Sequence, residues 1–317
     1  MLRTTRVVAD GVSGTAAQHA LHGALVEHGW ILPSGVSGVF GRSAAFEAVA
    51  QGVQRAVGAA GCAIDPDPQW VHFPPVLARE ILRRTGYMEN FPNLCGSVHS
   101  FAGQAAEHEA LAGRVRDGGD WGEFLTQADV ALCPAACYPL FPTLAGTTVP
   151  LTRTFALTTW VFRNEPSEDP ARMRAFRQHE HVFVGGAEQV QAWRRRWMQT
   201  GRELLASLGL PVRLEAANDM FFGRGGRMMK ATQREQGLKH ELVVPITSDE
   251  HPTAVASFND HQDHYGSTFG FRAGPSGETA HTACFGFGLE RVTIALLRTH
   301  GMDLEAWPGE VRGRLLP

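Results

Sequence analysis

The chain has 317 residues, a formal net charge of −3 and a pI near 6.5. Its composition, 44 % hydrophobic and 19 % charged, is typical of a globular protein with a sizeable core. A protein with this charge balance does not have the overall positive field that a dedicated nucleic-acid binder usually has. Because the chain has no run of roughly 18 apolar residues, we expect neither a membrane span nor a signal peptide. The five cysteines are an odd number, which argues against a disulfide framework and predicts a cytoplasmic protein.

Hydrophobic spacing predicts the elements of the N-terminal part. Ser43 is predicted to cap a long helix. The glycine-punctuated run 35–41 is predicted as a loop or short strand, because it lacks the lysine of a phosphate-binding loop. The predicted helices are 15–29, 44–59, 76–85 and 107–116, and the strand-like runs are 70–73 and 97–101. No linker follows, so we expect an accessory helical layer, residues 1–130, packed on a catalytic core, residues 131–317, within one continuous domain.

A hairpin with a long polar loop is predicted around residues 151–184. Thr, Val, Phe and Trp dominate its first strand, and Val182 to Val184 continue its second. The hairpin would bring together Arg163, Glu165, Arg177, Glu180 and His181. So many charges beside an apolar hairpin indicate a charged ligand, a metal or solvent. A salt-bridged surface hairpin is the alternative.

Two cysteines precede this hairpin, in a stretch punctuated by prolines. Cys133 and Cys137 have only a loose resemblance to a metal-binding pair, because Pro134 and Pro139 forbid a regular helix. Buried, inert cysteines are the alternative.

The following elements carry further polar residues. A helix over 187–208 contains Arg194 to Arg196, which a helix spreads over different directions. A strand over 212–217 leads to Asp219 and a glycine-rich basic loop, a candidate lid. Strands are predicted at 238–246 and 253–258. The polar run 259–264 is predicted as a loop that contacts metal or phosphate, or is simply solvated.

The C-terminal part predicts an anion site. A strand from His281 reaches Gly286 and Gly288, and a helix follows in which Leu289, Val292 and Leu296 share one face. Arg291 lies in the first turn of this helix, where the helix dipole already favours anions.

These residues resemble two motifs of class II aminoacyl-tRNA synthetases. The stretch Phe162-Arg163-Asn164-Glu165, with Arg177 and His181 after the loop, is similar to their second motif, and Gly286 to Arg291 is similar to the third. Stretches along nearly the whole chain resemble more closely the amino acid:[carrier protein] ligases, truncated relatives of seryl-tRNA synthetase. The resemblance implies an α+β fold, a mainly antiparallel six-stranded sheet flanked by helices, without a tRNA-binding coiled coil.

The resemblance also implies a function. Such a ligase makes an aminoacyl-adenylate from ATP and a small amino acid, with glycine or alanine favoured. It then passes the acyl group to the phosphopantetheine thiol of a carrier protein, and it is expected to be a homodimer. An aminoacyl-tRNA synthetase and a non-catalytic synthetase paralogue are the alternatives.

Site roles follow from the same resemblance. Arg163 would bind the α-phosphate of ATP, Arg291 the γ-phosphate with help from Arg177, and Glu165 the adenine amino group. His181 stands where the motif usually has the aromatic residue that stacks on adenine, and Arg172 is a further expected ATP contact. Mg²⁺ is expected with the ATP.

A zinc ion held by Cys137, Glu180 and Cys284 is implied as well. Three protein ligands leave one tetrahedral position open for the substrate amino group. Cys133 is the rival to Cys137. His179 and His181 flank Glu180 but share the opposite face of a strand, so we expect neither to join the metal.

The remaining predictions concern the substrate and the carrier. Asp219, Asn259, Arg224 and Arg227 are assigned to the substrate site or lid. A basic patch should meet the acidic carrier protein, and its candidates are Arg194 to Arg196, Arg224 and Arg227.

Overall fold

The fold is built on one large sheet, with helices on one face and smaller sheets around it. The computed structural model describes residues 14–219, 221–222, 233 and 235–316. Within this part of the chain the α-helices are α1 (Gly14–Glu27), α2 (Ala44–Ile64), α3 (Arg79–Arg84), α4 (Tyr87–Asn90), α5 (Ala105–Arg116), α6 (Ala187–Ser207), α7 (His264–Phe269), α8 (Leu289–His300) and α9 (Gly309–Leu315). The strands are β1 (Ile31–Val36), β2 (Val39–Arg42), β3 (Gln69–Val71), β4 (Val76–Ala78), β5 (Ser97–Phe101), β6 (Leu125–Leu132), β7 (Thr148–Val149), β8 (Arg153–Phe162), β9 (Ala175–Gly185), β10 (Arg213–Ala216), β11 (Lys239–Val244), β12 (Thr253–Gln262), β13 (Arg272–Ala273), β14 (Glu278–Thr279) and β15 (His281–Gly288).

The large sheet has seven strands in the order β10-β11-β12-β15-β9-β8-β3. The first six pair antiparallel. The short edge strand β3 runs parallel to β8. The expected six-stranded antiparallel sheet is therefore present, with one parallel strand added at its edge. Strands β4, β6 and β5 form a separate three-stranded sheet, and β1 and β2 form a hairpin.

Helices α2, α6 and α8 pack on one face of the large sheet, which we call the helical face. Aromatic side chains are buried on this face. Phe258 stacks on Phe285 with ring centroids 4.0 Å apart, and the ring centroid of Trp197 of α6 lies 4.6 Å from that of Phe285. Each such buried side chain contributes about 1.5–3 kcal/mol. The other face, which carries Glu180, we call the site face.

Helix α2 begins as the sequence predicts. The Ser43 hydroxyl accepts a hydrogen bond from the Phe46 amide at 3.2 Å, which satisfies one of the free amides of the first turn. The helix continues to Ile64 instead of ending at residue 59, because its apolar face stays buried against the sheet.

The structure does not divide the chain at residue 130. That position falls inside β6, and β3 belongs to the large sheet. Helix α2 packs against both α6 and α8. The predicted boundary at residue 130 therefore does not fall between elements, and residues before 131 supply part of the core itself.

Two local predictions are also corrected. Residues 76–85 form β4 and the short helix α3, not one helix. The polar run 259–264 is not a loop: β12 continues to Gln262, with an irregular register near Asp260. Cross-strand pairing with β15 keeps these polar residues in the sheet.

Candidate active site

Strand β9 presents alternate side chains to the two faces of the large sheet. Arg177, His179 and His181 lie on the helical face, where the rings of His179 and His181 are 5.2 Å apart. Glu180 lies on the site face, opposite Gly286 of β15. The predicted separation of the two histidines from Glu180 is confirmed.

Three side chains that the sequence offers as metal ligands meet on the site face. The ligand atoms of Cys137, Glu180 and Cys284 all lie within 4.8 Å of one another, and all three residues are buried. Glu180 and Cys284 come from neighbouring strands, β9 and β15. Cys137 comes from the turn after β6, which is tethered by a 3.1 Å hydrogen bond from the Ala136 amide to the Gln178 side chain. We call these three residues the Cys-Glu-Cys set.

Gly286 makes room for Glu180. A Cβ atom at this glycine would lie 3.0 Å from both Cγ and Oε1 of Glu180. Such a contact is too close for an unshifted side chain. The glycine of the third motif therefore has a packing role at the Cys-Glu-Cys set.

The electrostatics of the set fit a bound cation. Burial, and then the charge of Cys284, raise the pKa of Glu180 to about 8. The Cys137 thiol hydrogen-bonds to Cys284, which raises the pKa of Cys137 and lowers that of Cys284. Buried Oε2 of Glu180 has no hydrogen-bond partner among the described residues. Two sulfur donors and one carboxylate oxygen suit zinc, which would satisfy that oxygen and stabilise the charged ligands.

A neighbouring amide supports this set. Asn259 Nδ2 lies 3.5 Å from the Cys284 sulfur and 3.3 Å from the Ser257 hydroxyl. Asn259 thus orients a candidate ligand, which is the usual role of residues just outside a metal site.

The rival cysteine is separate from the set. Cys133 is buried, its thiol donates to the Ala135 carbonyl oxygen at 3.1 Å, and burial raises its pKa to about 12. It is a neutral core thiol, and it does not belong to the Cys-Glu-Cys set.

Two arginines converge on a single ring of the site face. The guanidinium carbons of Arg163 and Arg291 lie 5.7 Å and 5.4 Å from the centroid of Phe176. Burial, and then the nearby Arg163, lower the pKa of Arg291 to about 10. Two close cations in a buried setting form an anion site on physical grounds.

Backbone oxygens hold both arginines in place. Arg163 Nε donates to the Pro134 carbonyl at 3.1 Å, in the segment that leads to Cys137. Arg291 donates to the carbonyls of Ala171 and Ala254 at 2.8 Å and 3.0 Å. Both arginines are thereby oriented before any ligand arrives.

Glu165 and Arg172 lie on the loop that joins β8 to β9. Their side chains pair at 3.5 Å. The Arg163 amide donates to the Arg174 carbonyl at 2.8 Å, which closes the base of the loop. The charges of both side chains act on Arg291, which places them near the arginine pair.

Two predicted ATP contacts, His181 and Arg177, lie on the helical face and not on the site face. His181 is 1 % exposed, and its ring packs against Gly61 of α2 and Trp197 of α6. Arg177 is engaged by Glu47 and Glu290 on the same face. Phe176, which was not among the predicted contacts, is the aromatic residue that faces the arginines.

Asp219 is held by an internal network at the start of the predicted lid. It pairs with Lys239 at 2.6 Å, and its carboxylate accepts from the Gln233 amide at 2.8 Å. Lys239 also pairs with Glu241 at 3.0 Å. Arg224 and Arg227 lie outside the described residues.

The predicted carrier-binding arginines differ in exposure. Arg194 is 5 % exposed and donates to the Gly237 carbonyl and to His240, so it is not part of a surface patch. Arg195 and Arg196 are exposed.

The chain resembles known proteins in both sequence and fold. No protein-family profile matches the chain. The chain is 43 % identical, over 89 % of its length and 84 % of the relative, to amino acid–[acyl-carrier-protein] ligase 2 of Bradyrhizobium diazoefficiens. Ligase 1 of the same organism is 40 % identical over 88 % of this chain and 85 % of the relative.

The fold is that of a class II synthetase catalytic domain. The structure of M. kandleri seryl-tRNA synthetase, solved with A. aeolicus tRNASec, superposes with a TM-score of 0.81 at 20 % identity. The match covers 99 % of this chain and 61 % of that one. Among the described residues, no helix combines the length and apolarity needed to cross a bilayer. The sequence identity, together with this fold, shows that the chain belongs to the amino acid–[acyl-carrier-protein] ligase family, and it is therefore a ligase.

Proposed function

We propose that this protein activates an amino acid with ATP and transfers the aminoacyl group to the phosphopantetheine thiol of a carrier protein. One observation carries the proposal: the arginine pair on Phe176 and the Cys-Glu-Cys set lie on the same face of the large sheet. Arg163 links them, because its charge acts on Glu180 and its Nε binds the segment before Cys137.

In the first step, a carboxylate oxygen of the amino acid attacks the α-phosphorus of ATP, and the bond to pyrophosphate breaks. Arg163 and Arg291 stabilise the charge that develops on the phosphate oxygens. Their planar forks suit bidentate contacts to phosphate. ATP enters as its Mg²⁺ complex, and Glu165 and Arg172 bind at the rim. Phe176 supplies the flat apolar surface for adenine that His181 was expected to supply.

In the second step, the thiol of the carrier attacks the acyl carbon, and AMP leaves.

We propose one zinc ion per subunit at the Cys-Glu-Cys set. When bound, zinc supplies a Lewis acid for the substrate amino group. The chain's own task is orientation: Asn259 holds Cys284, and Gln178 holds the turn that carries Cys137.

The substrate is proposed to be small, with glycine and alanine first. Tyr138 directly follows Cys137 and packs edge-on against both Tyr87 and Tyr265. This packed cluster of rings beside Cys137 in sequence supports a small substrate side chain.

We further propose a cytoplasmic homodimer. The five cysteines, all within the described residues, form no disulfide, which supports a reducing compartment. Trp70 is 50 % exposed on the edge strand β3, where a second subunit would cover it. Light scattering should give a mass twice that of the chain.

One assay tests the proposal. Purified protein is given ATP, a panel of labelled amino acids, and either holo-carrier protein or total tRNA. Amino-acid-dependent pyrophosphate exchange with label on the carrier is the expected result. Label on tRNA alone would make the protein a tRNA synthetase, and absence of exchange with every amino acid would make it a non-catalytic paralogue.

A further inference from the structure

A largely buried cluster of four charged side chains lies behind the arginine pair, on the helical face. Its members are Arg42, Glu47, Arg177 and Glu290. They come from β2, α2, β9 and α8, so the cluster joins four elements that are distant in sequence. We call it the ion cluster.

Glu290 is the centre of the ion cluster. Its side chain is 0 % exposed. One carboxylate oxygen accepts from the Arg177 backbone amide at 2.7 Å, and the other accepts from Arg177 Nε at 2.7 Å. The same residue lies 3.6 Å from Arg42 Nε. Glu290 therefore binds both the backbone and the side chain of Arg177 in β9.

The outer members complete the cluster. Glu47 accepts from both terminal nitrogens of Arg177, at 2.7 Å and 3.0 Å. Arg42 donates to the Ala175 carbonyl at 3.1 Å. Trp160 faces both guanidinium groups, 4.7 Å from Arg42 and 5.2 Å from Arg177. Two positive and two negative charges offset each other, which a buried cluster requires.

Two members of the ion cluster are adjacent in sequence to residues of the arginine pair site. Glu290 directly precedes Arg291, and Arg177 directly follows Phe176. The hydrogen bond from the Arg177 amide to Glu290 therefore fixes the start of α8 against the strand position of Phe176. A shift of α8 along β9 would separate Arg291 from Phe176, and interior packing transmits such a shift.

We infer that Glu290, through the ion cluster, positions Arg291 and Phe176 for ATP. This inference rests on the proposed function, since it concerns the same ATP site. It gives Arg177 a positioning role on the helical face in place of the expected contact with phosphate.

The test uses Glu290→Gln, which keeps the size of the side chain and removes its charge. Glu47→Gln is the matched control, because it touches the same arginine only at the outer end. Both variants are compared with the wild-type protein by titration calorimetry with Mg·ATP and by pyrophosphate exchange. Zinc content and thermal unfolding are measured in parallel. Binding and exchange are compared at a temperature where all proteins are folded.

We expect Glu290→Gln to weaken ATP binding and to raise the KM for ATP about tenfold, since a charge-assisted contact to the backbone is lost. The KM for the amino acid and the zinc content should stay the same. Glu47→Gln should change the KM for ATP less than about threefold. Arg177→Lys, a second variant in case Glu290→Gln does not fold, should raise the same KM by more than Glu47→Gln does, and an unchanged KM in Arg177→Lys would then overturn the inference.

Two further results would overturn the inference. One is a lower unfolding temperature for Glu290→Gln with unchanged ATP binding, which would make the ion cluster purely structural. The other is unchanged binding in Glu290→Gln with weakened binding in Arg177→Lys, which would make Arg177 a direct ligand. Calorimetry separates this inference from the proposed function: wild-type protein that binds ATP without exchange would refute the function alone.

Discussion

Arg163 and Arg291 share the ring of Phe176, with guanidinium carbons 5.7 Å and 5.4 Å from its centroid. The two arginines are 128 residues apart in the chain, counted as 291 − 163. Each is also fixed by a backbone carbonyl. The pair is thus preorganised for an anion, which avoids the cost of ordering long side chains during the reaction.

Removing one of these arginines should remove most of the activity. For Arg291→Ala we expect a loss of roughly 10²–10³ in kcat for pyrophosphate exchange, the usual cost of one electrostatic donor at a reacting centre. Arg202→Ala, on the exposed side of α6, is the matched control and should keep full activity. Equal rates for the two variants would show that Arg291 does not contact the reacting phosphates.

Substitutions of Phe176 and of His181 should have different effects on the KM for ATP. Phe176→Leu should raise the KM for ATP about tenfold, because stacking on a base contributes about 1–3 kcal/mol. His181→Leu should lower the unfolding temperature but leave this KM within about twofold, since burial lowers the pKa of His181 to about 3 and keeps it a neutral core residue. Initial rates at varied ATP decide between them. A raised KM in His181→Leu alone would restore the original assignment.

The two neighbouring cysteines allow a sharp metal test. Elemental analysis should find about one zinc per chain in the wild type and in Cys133→Ser, and little in Cys137→Ser or Cys284→Ser. The reason is that Cys133 donates to a backbone carbonyl away from the Cys-Glu-Cys set. Cys284→Ser protein that retains zinc and full amino acid activation would contradict the assignment.

Two glycines of β15 should respond differently to an added methyl group. Gly286→Ala places a Cβ atom 3.0 Å from Cγ and Oε1 of Glu180, so we expect reduced zinc retention and reduced exchange activity. Gly288→Ala meets only the Arg291 side chain, at 3.5 Å or more, an ordinary contact. Zinc content and exchange rates of both variants check the prediction, which fails if Gly288→Ala is the more damaged.

The pair of Asp219 and Lys239 predicts how stability depends on pH. Burial opposes ionisation of Asp219, but the charge and hydrogen bond of Lys239, helped by the hydrogen bond from Gln233, outweigh it and hold the pKa of Asp219 below its usual value. A lowered folded-state pKa contributes stability above the unfolded value, about 3.9. This contribution is lost as the pH falls through the folded-state pKa. The wild type should therefore keep it from pH 7 down to about pH 4.

Lys239→Met should reverse this dependence. Burial would then raise the pKa of Asp219, and a raised pKa makes stability fall as the pH rises through it. We expect a loss of about 1–3 kcal/mol at pH 7, near the lower end because Asp219 is partly exposed. Urea unfolding at pH 4 and pH 7 measures the effect. The double variant Lys239→Met/Asp219→Asn should abolish it, and an unchanged dependence in the double variant would assign it to another group.

Much of the site was predictable from local sequence. The strand before Arg163, the strand before Gly286 and the helix after Gly288 follow from residue type and spacing, because these preferences act over a few residues. Alternation within β9 also separated His179 and His181 from Glu180. The three members of the Cys-Glu-Cys set came from the family resemblance, since local chemistry did not distinguish Cys137 from Cys133.

Other features depended on packing between distant segments. A strand's period of two defines two faces but does not say which face the helices cover, so the strand pattern did not reveal that Phe176 faces the arginines. The expected contact of Arg177 with phosphate came from the family resemblance. Residues 259–262 looked like a polar loop, because their pairing with β15 is invisible locally. Long-range partners explain the rest: Arg177 meets Glu47 and Glu290, which lie 130 and 113 residues away.

By itself, the sequence determined most of the elements, the motif residues and the side chains that share a strand face. These are local properties of residue type and period. Only the tertiary structure decided which face of β9 meets the helices, and with it the roles of Phe176, Arg177 and His181. The physical reason is that burying one face of a sheet depends on the apolar surfaces of α2, α6 and α8 together, and no local pattern contains them.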